Sequence, residues 1–261
     1  MNKIISYVNW GVGIMSLAGL CLFVITYFFS CNGKQIPIEL AKPVFVDKHK
    51  DQLANFVFLV KETSLEDCGE DEEGPCSSFV VPIASASGVV LSQSKSNIFI
   101  LTAQHFCADD PTTTMLGEKS IRAFIGDSSR EVFIVTYEPI NDICLLQGLR
   151  LKGEDFKRVK LAEDMPLIGE KVYNIAAPDG MASPNTKLMF DGYFSGCENS
   201  HCVYTVPATF GSSGSAVYNK DGELISILVA AATRFENVSM GPHIKAITFF
   251  INTIEETVDI Y

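Results

Sequence analysis

Three short stretches of the sequence carry residue types that together could attack an acyl carbon. The first is Thr209-Phe210-Gly211-Ser212-Ser213-Gly214-Ser215-Ala216. Glycines on both sides of a serine pair let the backbone turn tightly and present a hydroxyl with little around it. Such a turn can also aim backbone N–H groups into one small space, which a developing oxyanion needs. A serine is a weak nucleophile alone and requires a base within hydrogen-bond reach. The second stretch, Ile98-Phe99-Ile100-Leu101-Thr102-Ala103-Gln104-His105-Phe106-Cys107, supplies one: an apolar strand ends in Thr-Ala and delivers His105. The third, Pro139-Ile140-Asn141-Asp142-Ile143-Cys144-Leu145-Leu146, places Asp142 at the start of another apolar strand. A carboxylate there can be shielded from water, which strengthens its hold on an imidazole.

Each residue has a plainer reading. Ser213 could be a turn serine, His105 a satisfied core histidine and Asp142 a strand-capping aspartate. Asp127 and Asp109 are rivals for the carboxylate, and the buried strand directly after Asp142 favours Asp142. Serine chemistry on an α/β sheet is a second rival, because Ser213, Asp221 and His243 occur in that order. Against it, the serine turn lacks Gly-x-Ser-x-Gly spacing and alternating helices are missing.

Taken together and in the order His, Asp, Ser, the motifs resemble those of the chymotrypsin-fold (trypsin-like) serine proteases. Those signatures are Thr-Ala-x-His, Asn-Asp-Ile-Ala-Leu-Leu and Gly-Asp/Asn-Ser-Gly-Gly/Ser. The resemblance looks closest to compact bacterial and viral members, including the HtrA-like branch, and covers roughly residues 52–255. It implies an all-β fold of two six-stranded β-barrels with a C-terminal helix, and a catalytic triad in the cleft between them. Ser213 would be the nucleophile, His105 would take and return its proton, and Asp142 would orient the ring and stabilise its cation. The N–H groups of Gly211 and Ser213 would form the oxyanion hole. The strand Ile227-Leu228-Val229-Ala230 would wall the substrate pocket, with Thr205–Phe210 on its other side. Neither stretch carries an acid, so an apolar or small residue before the cut bond is expected rather than a basic one. The substrate would be protein or peptide, and the chemistry asks for no cofactor or metal.

The sequence departs from the family's pattern in places. Ser212 stands where trypsin-like enzymes carry an aspartate that pairs with a freed amino terminus, and no Ile-Val-Gly-Gly start lies upstream. Activation by cleavage is therefore not expected. Phe106 separates His105 from Cys107, where the cysteine usually follows the histidine directly, which leaves the partner of Cys107 open.

The elements that must position these residues read as short strands. Candidates at 55–60, 79–83, 88–91, 98–101, 121–125, 132–137 and 143–147 form a first half. Those at 157–161, 171–176, 187–194, 202–206, 215–218 and 223–230 form a second. Gly, Ser, Asn, Asp or Pro separates them, as in a sandwich or barrel. Phe249, Phe250, Ile254 and Val258 recur at helical spacing and predict a closing helix, and His243 is expected to begin a strand. At 261 residues the chain is compatible with one domain. A net charge of −11 argues against a nucleic-acid partner, since phosphate binding needs a basic face.

No charge occurs between Lys3 and Lys34. Tyr7 to Phe29 is long enough to span a bilayer as a helix, which takes about 20 residues. The organisation expected is a membrane anchor at 1–31, a linker at 32–51 and a protease-like domain at 52–261. A cleaved signal peptide is the alternative, but no Ala-x-Ala-like site is evident. Lys34, Lys42, Lys48 and Lys50 after the span argue against export, whereas six cysteines in the following domain argue for an oxidising, extracytoplasmic space. Close spacing makes Cys68–Cys76 and Cys197–Cys202 candidate loop staples, with free buried thiols as the alternative. The acidic run Glu66–Cys76 reads as a solvated loop, and its spacing matches no calcium loop. A contrasting reading of the whole chain is a catalytically inactive protease-like domain acting as a binding module.

Overall fold

The computed structural model describes residues 50–67, 77–108, 118–183, 186–199, 201–235 and 237–255. The expected span Tyr7–Phe29 and the Cys68–Cys76 loop lie outside the described residues. Among those described, no helix is long and apolar enough to cross a membrane. The last two residues assigned to the linker belong instead to a short helix, α1 (Lys50–Ala54).

Six strands follow with one four-residue helix among them: β1 (Phe56–Asp67), β2 (Ser77–Gln93), β3 (Asn97–Ala103), α2 (Gln104–Cys107), β4 (Lys119–Ile125), β5 (Ser128–Glu138) and β6 (Ile143–Leu149). They close into an antiparallel barrel in the order β1-β2-β3-β6-β5-β4. Alternation explains why the strands of this barrel read as continuous apolar runs. Ile98 and Ile100 of β3 fill the barrel interior with Val57, Leu59, Val90 and Leu146. Phe99 and Leu101 point the other way and join a second cluster that includes Ile175, Ala216, Tyr218 and Leu224. Both faces of β3 are therefore buried, and period-2 polarity disappears.

The second half holds β7 (Lys171–Ala176), a 3₁₀ turn (Pro178–Gly180), β8 (Leu188–Glu198), β9 (His201–Tyr204), β10 (Ala216–Tyr218), β11 (Leu224–Ile227), β12 (Ala230–Ala231) and β13 (Ser239–Pro242). It is not the closed six-stranded barrel that the resemblance implies. The strands form a seven-stranded sheet in the order β11-β10-β7-β8-β9-β13-β12. Its two end strands are consecutive pieces of the run 224–231, so the sheet curls until one stretch of chain serves both ends. Val229, between them, donates its N–H to Met240 O at 2.9 Å. The expected strand at 157–161 forms no ladder. That segment crosses between halves, with Val159 N–H on Leu91 O and Leu224 N–H on Lys160 O.

Helix α3 (Ile244–Glu255) is the last described element, and Val258 of the expected stripe lies outside the described residues. Its buried stripe is Ile244, Ile247, Phe250, Ile251 and Ile254, while Phe249, expected in the core, is 75% exposed. His243 starts this helix rather than a strand: its Nδ1 accepts the N–H of Lys245.

Candidate active site

His105 and Asp142 are placed by neighbouring strands. β3 and β6 pair with Ala103 opposite Ile143. The chain leaving β3 at Gln104 therefore meets the chain entering β6 at Asp142. Gln104 N–H donates to Asp142 O at 3.1 Å, and His105 N–H donates to Asp142 Oδ1 at 2.7 Å. Asp142 sits at φ +56°, a left-handed conformation that aspartate tolerates better than most side chains. The turn before it is held by Glu138, whose carboxylate accepts the N–H groups of Ile140 and Asn141. Cys107 pairs with Cys144, which answers the question its position raised. This disulfide lies two residues beyond His105 and two beyond Asp142.

Ser213 comes from the other half, on the turn that leads into β10. Gly211 lies at φ +86° and Gly214 at φ +79°. A Cβ on Gly214 would stand 2.2 Å from Thr102 Oγ1 and 2.3 Å from Ser87 O. A Cβ on Gly211 would stand 2.4 Å from Ala177 O. Only glycine meets both the conformation and the space. Ser87 N–H donates to Ser213 O at 2.8 Å and Gly214 N–H to Leu228 O at 2.7 Å, so the turn is tied on both sides. Ser212 is buried, and its Oγ accepts the N–H of Thr209 at 3.3 Å. That hydroxyl fills the place of the activating aspartate with a bond internal to the turn.

The three side chains meet in line. His105 Nδ1 lies 2.6 Å from Asp142 Oδ2, and His105 Nε2 lies 2.8 Å from Ser213 Oγ. The His105 side chain is 46% exposed and that of Asp142 23%, so the ring faces the cleft while the carboxylate is shielded behind it. Burial works to raise the Asp142 pKa, but the hydrogen bonds from the His105 ring and N–H, with the attraction between the two groups, outweigh it. The carboxyl is held below its ordinary value and stays ionised. Among the described residues, the N–H groups of Gly211 and Ser213 donate to no backbone acceptor outside the strand ladders. Asp127 lies on a separate cavity with Phe56, Phe58 and Lys187, and Asp109 falls outside the described residues.

Beside Ser213 is an open cavity of about 350 Å³. Ala208, Thr209 and Phe210 form one wall and Leu228 to Thr233 the other. Among the described residues, none that lines it is charged. Of the expected wall residues, Leu228, Val229 and Ala230 line it, whereas Ile227 is fully buried opposite Ala216 in the core. A larger adjoining cavity of about 610 Å³ shares Ala208, Thr209, Ala232 and Thr233, and carries Asp179 and Arg234. Cys197 and Cys202, opposite one another in β8 and β9, form the second disulfide. His201 is the first residue of β9. Sequence reasoning missed the contribution of Ser87. Its signal, if any, was the small-residue run Ser85-Ala86-Ser87-Gly88 inside an otherwise apolar strand.

Residues 86–227, more than half of the chain, match the trypsin-like peptidase domain. A search of curated proteins returns no match. Among solved structures, the serine endoprotease from Yersinia pestis superposes with a TM-score of 0.60 at 16% identity, over 82% of this chain and 67% of that one. Likeness at that identity speaks to fold. The family match speaks to kinship, and by it the chain belongs to the trypsin-like peptidases and is a serine protease.

Proposed function

We propose that this chain is a serine endopeptidase in which Ser213, His105 and Asp142 act as a triad. The observation that carries the reading is the pair of contacts on one imidazole, 2.6 Å to Asp142 and 2.8 Å to Ser213. Ser213 Oγ attacks the carbonyl carbon of the scissile peptide bond while His105 Nε2 takes its proton. The tetrahedral oxyanion lies between the N–H groups of Gly211 and Ser213. Its collapse breaks the C–N bond, and His105 returns the proton to the leaving amine. Water, deprotonated by the same ring, then releases the acyl group. Asp142 holds the ring in the tautomer that accepts at Nε2 and stabilises the imidazolium.

Substrate binds as an extended strand. β12 ends the sheet, so among the described residues no strand lies along its outer edge, and both its residues are exposed. A peptide adding there would bring its chain past the Leu228–Thr233 wall. The uncharged slot suits an apolar or small side chain before the cut bond.

The anchor expected at Tyr7–Phe29 tethers the domain to a membrane. The disulfides Cys107–Cys144 and Cys197–Cys202 favour an extracytoplasmic side, because such bonds persist in oxidising compartments. Alkaline extraction of membranes, with protease protection of sealed vesicles, tests both points. An extractable chain would sink the anchor, and protection inside right-side-out cells would sink the orientation.

The test of the activity is labelling of the full chain by a fluorophosphonate, beside Ser213→Ala and His105→Ala. Labelling of the parent alone is expected. A folded parent that does not label would move the weight to a binding domain without turnover.

A further inference from the structure

Ser87 is fully buried in β2 and takes no part in proton transfer, yet it touches the nucleophile turn at two points and a second loop at a third. Its N–H donates to Ser213 O at 2.8 Å. Its Oγ donates to Gly211 O at 2.7 Å and accepts the N–H of Ala177 at 2.9 Å. Its own carbonyl is fixed by Thr102 Oγ1, which donates to it at 2.7 Å. One hydroxyl thus joins the 177–180 turn of the second half to the peptide between Gly211 and Ser212.

That junction matters because of the preceding peptide. In a planar trans peptide the C=O and N–H point in opposite directions. Phe210 O accepts the N–H of Asp179 at 2.6 Å, so the N–H of Gly211 is turned away from the 177–180 turn. Gly211, at φ +86°, has no side chain to oppose rotation of that peptide, and the ring of Phe210, a residue 88% exposed, adds little restraint. If the peptide rotated, a carbonyl oxygen would stand where a donor is needed. Three hydrogen bonds resist it: Asp179 N–H on Phe210 O, and the two made by the Ser87 hydroxyl, to Gly211 O and from Ala177 N–H.

We propose that Ser87 is a positioning residue for peptide hydrolysis, its hydroxyl locking the 177–180 turn to the nucleophile turn so that Gly211 N–H stays aimed at the oxyanion. The proposal rests on the triad and oxyanion reading above. The hydroxyl touches neither substrate nor the reacting atoms. Removing it leaves Ser213, His105 and Asp142 in place and loosens only the donor.

The test uses the full chain with a peptide p-nitroanilide ending in valine, and a peptide trifluoromethyl ketone that forms an oxyanion on Ser213. Ser87→Ala is expected to lower kcat about 10- to 100-fold, less than the 100- to 1,000-fold typical of deleting one oxyanion donor outright. KM should hold within about twofold, as expected when an interaction made only in the transition state is lost. Affinity for the ketone should weaken in step with kcat. Ser87→Thr, which keeps the hydroxyl, should recover most of the rate. A folded Ser87→Ala enzyme with the parent's kcat, or with its loss confined to KM, overturns the proposal. So does a Ser87→Thr enzyme, equal to the parent in thermal melting, that is as slow as Ser87→Ala. Should Ser87→Ala fail to fold, Ser87→Cys takes its place, with a kcat between parent and zero expected and a parental kcat overturning the idea. A parent that neither turns over nor labels is a different result: it defeats the endopeptidase reading itself.

Discussion

The two halves of the molecule hold their share of the site by different means. In the barrel, His105 and Asp142 sit on adjacent strands whose register puts Ala103 against Ile143. Two backbone N–H groups bind Asp142, and a disulfide joins the segments two residues further on. All of these ties are internal to one half. In the curled sheet, Ser213 stands on a turn between two positive-φ glycines, outside any strand. Two of its ties, from Ser87 N–H and the Ser87 hydroxyl, come from the opposite half. The proposed acid–base pair is therefore placed by contacts within one barrel. The proposed nucleophile is set at the seam, where both halves hold its turn.

The largest effect that probes this contrast is Asp142→Asn. Loss of the correct ring tautomer is expected to lower kcat about 10,000-fold while the turn around Ser213 keeps its geometry. Steady-state kinetics with a crystal structure of the variant would check it. A loss under about tenfold would mean that the ring is oriented by something other than this carboxylate.

Next comes the disulfide that only the barrel possesses at its site. Replacing Cys107 and Cys144 by serine removes a link between residues 37 apart, and a loss of about 3 kcal/mol is expected in denaturant unfolding. Because Gln104 and His105 still bind Asp142 through their N–H groups, kcat below the melting temperature should stay within about threefold, a difference of under 1 kcal/mol. A collapse of kcat in a folded double variant would show that the covalent tie, not the register, sets the pair.

The smallest effect concerns acid. In the barrel, Arg130, whose side chain is 5% exposed, pairs with Glu154, whose side chain is 15% exposed. Burial works to raise the Glu154 pKa, but the Arg130 guanidinium and the Leu151 N–H outweigh it and hold the carboxyl below its ordinary value of 4.5. A folded-state pKa that is depressed gives stability that is fully present above the unfolded value and is lost as pH falls through the folded one. The melting temperature of the parent should therefore drop from about pH 4.5 downward. Glu154→Gln should flatten that drop and cost about 1 kcal/mol at neutral pH, since Arg130 keeps Leu149 O and Ser128 Oγ as acceptors. An unchanged acid slope would assign the barrel's acid sensitivity elsewhere.

The sequence makes legible those features whose signals are local. An apolar run ending in Thr102-Ala103, a Gly-Ser turn and an aspartate ahead of Ile143 can each be read from a few neighbouring residues, and the structure brings His105, Asp142 and Ser213 into contact. Ser87 could not be read this way, because its hydroxyl acts across 124 positions of sequence on Gly211. Its small neighbours also hid β2 itself. Strand candidates at 79–83 and 88–91 are one continuous strand, with Ser85, Ala86 and Ser87 pairing to Val60, Leu59 and Phe58. In α3, Phe250 and Ile254 of the expected stripe face the core and Phe249 does not. Phe249 and Phe250 are equivalent over so short a window, and the start at Ile244, after Pro242 and His243, decides which of them faces the core. The architecture of the second half depends on pairings between distant strands, and period alone does not reveal that β11 and β12 belong to opposite ends of one sheet.

The open edge of β12 has one more consequence. An unpaired strand edge is a template for any extended chain, and proteins that keep one risk recruiting copies of themselves into aggregates. A protease that docks its substrate by strand addition needs such an edge and carries that hazard with it. Here the strand is two alanines long, with β13 on its inner side. On the proposed docking mode, so short a template would give an unfolded segment enough backbone partners to be held for a cut, and too few to seed a lasting intermolecular sheet.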